Sequence, residues 1–164
     1  MQEAHEQGTI GAQMAGRHYL MLAINLITSA IVMYLVMFTM IATTGDFYNN
    51  LNTFYMTLMM VTSMAMLMLW MMRAMYPNRR TNIVLYAGFA LVFILSFAGM
   101  RTQSLIGDNQ FLRSMIPHHS GAVLMCERSR IRDSEIIALC GEIIRSQKSE
   151  IAQMKAILER KAGG

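Results

Sequence analysis

The sequence predicts an all-α protein, with three membrane-spanning helices followed by a helical hairpin of four-helix-bundle type. Three observations carry that reading. The chain is 54% hydrophobic over 164 residues, with a mean hydropathy of +0.35, too apolar for an ordinary soluble domain. Three long stretches before Arg101 are almost free of charge. After Arg101 the pattern changes to mixed charge with an apolar period of 3.6 residues, the mark of an amphipathic helix.

The first 18 residues read as a polar, glycine-containing cytoplasmic tail, flexible through Gly16. His5 and His18 there form at most a crude metal pair, and solvent-exposed or interfacial histidines are the better reading. The membrane region spans 19–101. Tyr19 to Ala42 carries no charge and gives roughly 36 Å of helix at about 1.5 Å per residue, enough for a hydrocarbon core of about 30 Å. No basic leader or small-residue cleavage site accompanies it, so it reads as a retained span. Asn25, Thr28 and Ser29 within it suit bonding to a neighbouring helix or to backbone carbonyls. Thr43 to Asn50 reads as a turn. Leu51 to Tyr76 is the second span, uncharged until Arg73, which sits near enough to its end to snorkel. Tyr76 to Arg80 is a tight basic loop, and Asn82 to Met100 is the third span.

Charge sets the expected orientation. The loop after the second span holds Arg73, Arg79 and Arg80, whereas the loop after the first holds only Asp46. The positive-inside rule makes the basic loop cytoplasmic. The amino terminus is then cytoplasmic, in agreement with Arg17, and residues 102–164 are extracytoplasmic. Arg101, just after the third span, weakly opposes this. The expected location is a bacterial plasma membrane with a periplasmic carboxy-terminal domain.

That domain begins with a short linker, Thr102 to Gly107. Asp108 is the expected cap of a helix that runs to about Ser129, with Pro117 either kinking it or opening a new one. A bend at Arg130 to Asp133 follows. Asp133 or Ser134 caps the last helix, which carries Glu135 in its first turn and Arg160 and Lys161 in its last. Arg and Lys alternate with Asp and Glu throughout, which marks a solvated surface and argues against nucleic acid.

The chemistry-bearing stretch is Met115 to Cys126, where His118 and His119 stand side by side between thioethers and a thiol. Neutral imidazole, thioether and thiolate are ligands of soft or borderline transition metals. With helices antiparallel about Asp133, His119 faces Gln147, Met115 faces Ile151, Met154 lies near Leu112, and Cys126 is level with Cys140. Two clusters are expected. A proximal one holds Met115, His118, His119 and Met154, and a distal one holds Met125, Cys126 and Cys140. Adjacent helical residues diverge by about 100°, so one histidine can face the hairpin partner and the other a second chain. The cysteines have three readings: small buried apolar residues, a disulfide, or a thiolate copper site. The donor mix favours Cu(I) over zinc, because thioether is a poor zinc ligand. Two helices of this length bury little by themselves, so a homodimer or higher homo-oligomer is expected to complete a four-helix bundle.

The stretch Phe111 to Ala122 with Met125 resembles the Met-Ile-x-His-His-x-Gly-Ala-x-x-Met signature of the CopM-type domain, long catalogued as domain of unknown function three hundred and five. Asp133, Glu135, Ile136, Ile143, Ile144, Gln147, Glu150, Ile151 and Met154 continue the likeness, which covers about Asp108 to Leu158. The resemblance implies a ferritin-like helical bundle, an extracytoplasmic location and copper held by Met115, His118, His119, Met125 and Met154. Ser120 stands where the family usually has glutamine, Leu124 where it usually has aspartate, and Cys126 and Cys140 where alanine is common. These departures make the site softer. Longer members carry the His-His motif twice and this chain carries it once, which again favours a dimer.

The chain has 19 methionines, and Met56, Met60, Met64, Met68 and Met72 repeat every fourth residue. This ladder reads first as flexible packing or lipid-facing filler, with a thioether path for Cu(I) as the functional alternative. An enzyme is not expected. Ferritin-like di-iron catalysis needs Glu-x-x-His pairs, and neither His118 nor His119 lies three residues after a glutamate. The sequence thus points to a bilayer-anchored copper-binding protein for buffering, storage or resistance, supplied by a delivery partner of unknown identity. The alternative is a non-catalytic assembly module whose hairpin oligomerises.

Overall fold

The computed structural model describes residues 2–163, with side chains from residue 16 onward. Among the described residues all regular structure is helical. It comprises α1 (Gln2–Val36), α2 (Leu51–Met71), α3 (Arg79–Thr102), α4 (Asp108–Arg128) and α5 (Ser134–Ala162), with 3-10 turns at Thr44–Asp46 and Arg73–Met75. Two compact units result. One is Met1–Tyr34 with Tyr55–Thr102, and the other is Leu35–Phe54 with Gln103–Gly164.

The first unit contains most of the apolar helices. Gly16–Val36, Leu51–Met71 and Arg79–Thr102 are each long and apolar enough to cross a membrane. Leu22, Leu69 and Tyr76 form its buried core, with Tyr19, Met68 and Phe89 among the residues packed on it. Elsewhere small or hydroxylated residues fill the interior: Thr57, Thr62, Ala65 and Ser96 are buried. Such residues let apolar helices approach, and hydroxyls can satisfy themselves locally; Thr62 Oγ1 donates to Leu58 O at 2.7 Å. Leu20, Ile24, Ile27 and Ile31 point outward on α1, a face suited to lipid.

The helix ends differ from the sequence expectation. The stretch read as a flexible tail is helical from Gln2. It contains no proline, and Gly8, Gly11 and Gly16 each weaken a helix by about 1 kcal/mol without blocking it. The side chain of His5 lies outside the described residues. At its other end α1 stops at Val36, not Ala42. Phe38 leaves the helix and is buried, its ring 4.3 Å from that of Phe47. Helix α2 ends at Met71, and Met72 to Tyr76 turn tightly so that Tyr76 is buried. Helix α3 starts at Arg79, before Asn82, because Asn78 Oδ1 accepts from Arg80 N and Thr81 N at 3.1 Å each, an N-terminal cap.

The second unit is an antiparallel α4–α5 hairpin with the segment 35–54 packed into it. Leu112, Ile116, Ile151 and Met154 are its core, with Tyr48 and Met115 against them. Asp133 caps α5, its Oδ1 accepting from Glu135 N at 2.9 Å and Ile136 N at 3.1 Å. At α4 the cap position is Gly107, and Asp108 is the first helical residue, still an acid at a positive helix end. Pro117 lies inside α4, which continues through it. The segment 43–50, read from sequence as a plain turn, is a third layer of this unit. Asp46 and Asn50 are buried, and Leu51 N donates to Gln110 Oε1 at 3.1 Å.

Gly121 lets the 35–54 segment approach α4 closely at Met40. A Cβ there would lie 3.3 Å from the Met40 carbonyl oxygen, tighter than side chains usually tolerate. Gly121→Ala gains up to about 1 kcal/mol of helix propensity, which offsets part of the crowding. Gly121→Val lacks most of that gain and adds bulk, so we expect a loss of about 1–3 kcal/mol. A lower thermal midpoint for the detergent-solubilised Val variant than for the Ala variant is the checking measurement.

Candidate metal centre

The histidine pair sits on the second half of α4, just past Pro117. Their 100° divergence separates them in the structure. His118 is exposed. His119 turns towards α5 with its side chain 13% exposed, and its Nδ1 lies 3.0 Å from Glu150 Oε2. The carboxylate lies off the direction a hydrogen bond needs, so Nδ1 has no hydrogen-bond partner. The two rings are 6.0 Å apart between centroids and inclined at 61°.

The thioethers divide between the two directions. Met154 is buried in the hairpin core and Met115 packs on the same cluster, as the antiparallel register predicts. Met125 is 52% exposed. Positions 115, 118, 122 and 125 share one side of α4 by helical spacing, so His118 and Met125 present an open imidazole and thioether stripe. His119 belongs to the inner side. The expected proximal cluster of Met115, His118, His119 and Met154 is therefore brought together only in part within one chain. Among the described residues no three histidine, cysteine or carboxylate side chains converge.

Cys126 and Cys140 form a disulfide, with Cα atoms 5.3 Å apart. Their equal height on the hairpin follows the register read from sequence. Of the three readings of this pair the structure takes the disulfide, and Cys126 and Cys140 as metal ligands are corrected, because an oxidised pair supplies no thiolate. The distal cluster with Met125 is not formed, since Met125 points away to the surface.

Sequence reasoning missed the group that aims α4. Ser120, next to His119, is fully buried. Its hydroxyl donates to Asp46 Oδ2 at 2.5 Å and accepts from Ala42 N at 2.7 Å. Thr43 Oγ1 also donates to Asp46 Oδ2, at 3.0 Å, and Lys155 Nζ meets Asp46 Oδ1 at 2.6 Å. A cavity of about 180 Å³ adjoins this network, lined by Thr43, Asp46, Ser120 and Lys148 among others. Further ion pairs, Lys148 with Glu127 and Lys161 with Asp108, tie the two helices in register. The signal in the sequence was slight: one acidic residue in an otherwise uncharged loop, and one lysine directly after the buried Met154.

Burial alone raises the Asp46 pKa, but the hydrogen bonds from Lys155, Ser120 and Thr43 and the Lys155 charge outweigh it and hold the carboxyl below its ordinary value of 3.8. A carboxyl depressed in the folded state lends stability above its unfolded pKa and loses it as pH falls through the folded value. The network is thus intact at neutral pH and fails only below about pH 3.8. Asp46→Asn should cost about 2 kcal/mol at neutral pH through lost charged hydrogen bonds, less than the roughly 3–5 kcal/mol of a fully buried pair because Lys155 reaches water. Thermal unfolding across pH 2–7, about the range where carboxyls titrate, checks this: the variant should be less stable at neutral pH and lack part of the acid-dependent loss.

The family described as Domain of unknown function (DUF305) matches residues 99–162. The chain is also 36% identical over 119 residues to "Uncharacterized protein L153" of Acanthamoeba polyphaga mimivirus, covering 71% of this chain and 76% of that protein. That length exceeds the 99–162 stretch, so the likeness reaches into the helices before it. No solved structure matches. The chain thus belongs to the same family as the mimivirus protein and carries a DUF305 domain in its carboxy-terminal part.

Proposed function

We propose that this chain is a membrane-anchored copper-binding protein of CopM type, whose extracytoplasmic hairpin holds Cu(I) for buffering, storage or resistance. One observation carries the reading. His119 has a nearly buried ring with Nδ1 beside the Glu150 carboxylate and no hydrogen-bond partner there. Metal-ligating histidines commonly have a carboxylate at the ring nitrogen away from the metal. Glu150 stands at ion-pair distance from Nδ1, and the small turn that would close this hydrogen bond would accompany binding of an ion at Nε2. The donor set fits the metal: imidazoles from His118 and His119 and a thioether from Met115 are neutral, soft to borderline ligands. Copper would supply no catalytic step. It is the cargo, and the protein acts as a binder and not as an enzyme.

The outward turn of His118 and Met125 supports a site shared between copies. Two hairpins meeting on this face would bring a second imidazole and thioether to each ion and complete a four-helix bundle. The disulfide supports an extracytoplasmic location, since disulfides persist in oxidising compartments. The basic loop at Arg73 to Arg80 supports a cytoplasmic amino terminus. The bilayer is then the standing partner, a second copy the structural one, and a delivery protein the source of metal.

An assembly module without metal is the second reading. It is favoured by Ile136, Ile137 and Leu139, each about half exposed at the start of α5, which would be covered in an oligomer whether or not copper is present.

Cu(I) titration of the full-length chain in detergent, against a chromophoric Cu(I) chelator, separates the two. The first reading expects a tightly bound equivalent whose affinity falls at least about tenfold in the His118→Ala, His119→Ala double variant, with a loss of order tenfold in Glu150→Gln. Unchanged binding in the double variant, with unchanged oligomeric mass with and without copper, favours the assembly module. In intact cells a membrane-impermeant thiol reagent should label Cys126 and Cys140 only after external reduction. Labelling that requires lysis would place the hairpin in the cytoplasm.

A further inference from the structure

The apolar unit carries a second concentration of soft donors, outside residues 99–162. A cleft of about 480 Å³ opens between α1, the end of α2 and the turn that follows, lined by His18, Met21, Met68, Met72 and Met75. Of the methionine ladder, only Met68 and Met72 reach it. Met75 joins them because the 3-10 turn Arg73–Met75 folds the chain back after α2, with Met75 N bonded to Met72 O at 2.8 Å.

The same turn orients the histidine. His18 Nδ1 lies 3.1 Å from the Met75 carbonyl oxygen. A carbonyl only accepts, so this bond places a proton on Nδ1 and leaves Nε2 as the nitrogen that could ligate. A backbone carbonyl on one ring nitrogen is a recurrent support for a histidine that ligates metal through the other. Core packing does not account for the methionines here: Met21, Met72 and Met75 are 54%, 38% and 39% exposed, and Met72 and Met75 lie past the end of α2, outside the span whose outward face suits lipid.

The chemistry of the wall narrows the ligand. Among the described residues no carboxylate and no thiol lines the cleft, which disfavours a hard divalent ion as the natural guest. Arg17 and Asn25 also line it. The Arg17 charge repels a monovalent ion half as strongly as a divalent one at equal distance, and its long stem lets the guanidinium extend to water. Thioethers with one imidazole select a soft monovalent cation.

We propose that His18, with thioethers drawn from Met21, Met68, Met72 and Met75, forms a second Cu(I) site, at the end of the membrane unit that bears the basic loop. The site shares only the choice of ion with the reading of the hairpin, and it stands or falls separately.

The test uses the full-length chain in lipid nanodiscs under anaerobic reducing conditions, with Cu(I) as the probe. In the His118→Ala, His119→Ala background one Cu(I) equivalent should remain. Adding His18→Ala, or Met68→Leu with Met72→Leu, should weaken it at least about tenfold. Leucine conserves volume and costs little in folding. X-ray absorption of the loaded background protein should show sulfur neighbours with a single imidazole. Independently, Cu(I) should protect His18 of the unmutated chain from carbethoxylation, read residue by residue by mass spectrometry. Retention of the equivalent in both added variants, or equal modification of His18 with and without Cu(I), would overturn the proposal. So would absence of any equivalent in the background protein while the unmutated chain binds one. That last outcome leaves the hairpin reading standing, whereas loss of hairpin binding with His18 protection intact removes only the hairpin site.

Discussion

The carboxylate of Asp46 governs the unit that contains the histidine pair. It is 4% exposed, and a charge so placed is tolerated only when it is paired and fully hydrogen-bonded. Its partners come from three places far apart in the sequence: Thr43 beside it, Ser120 on α4 and Lys155 on α5. One side chain thereby fixes the 37–50 segment against both helices of the hairpin. Ser120 adjoins His119, so the same bond sets the rotation of α4 and with it the direction of each imidazole. With α4 rolled by one residue, His118 would take the place of His119 beside Glu150 and leave the outer stripe.

Gly121 and Ser120 then belong to one device. The helix turn that bears the histidines must approach the Met40 backbone, which a glycine permits, and must meet a buried carboxylate, which a hydroxyl satisfies. Glutamine, the residue expected at 120 from the family pattern, is longer by several atoms and would not fit the 2.5 Å contact with Asp46 without displacing it. The short hydroxyl at 120 and the acid at 46 therefore depend on each other in this chain.

Much of the fold was legible because it rests on local rules. Three apolar stretches of span length and the cap at Asp133 are decided by near neighbours in sequence, and they appear in the structure, the spans with their ends shifted by several residues. The antiparallel register placed Met115 with Ile151, Met154 with Leu112, and Cys126 beside Cys140, because helical rise converts residue number into height. What was not legible depends on contacts between distant residues. Nothing near Phe38 says that α1 should end at Val36; the reason is the Phe47 ring and the Ser120 hydroxyl across the unit. Asp46 looked like an ordinary loop acid because its partner Lys155 is 109 residues away.

The histidines show the same limit in the site itself. The divergence of neighbouring helical residues was readable in advance, but not what each ring would meet: the structure gives one ring a carboxylate and the other an open face. His18 shows the converse. By itself it was an unremarkable residue at the edge of a span, and the methionines 50 and more positions later read as filler. Only the fold-back at Arg73–Met75 puts a carbonyl against its Nδ1 and Met75 into the cleft that His18 lines. On the proposed reading, soft-metal binding would rest less on clustered motifs than on a turn that brings scattered neutral donors to one cleft. Neutral donors also suit an apolar helical unit: a carboxylate or thiolate there would carry its own desolvation cost before any ion arrived, whereas thioether and imidazole carry none of that charge.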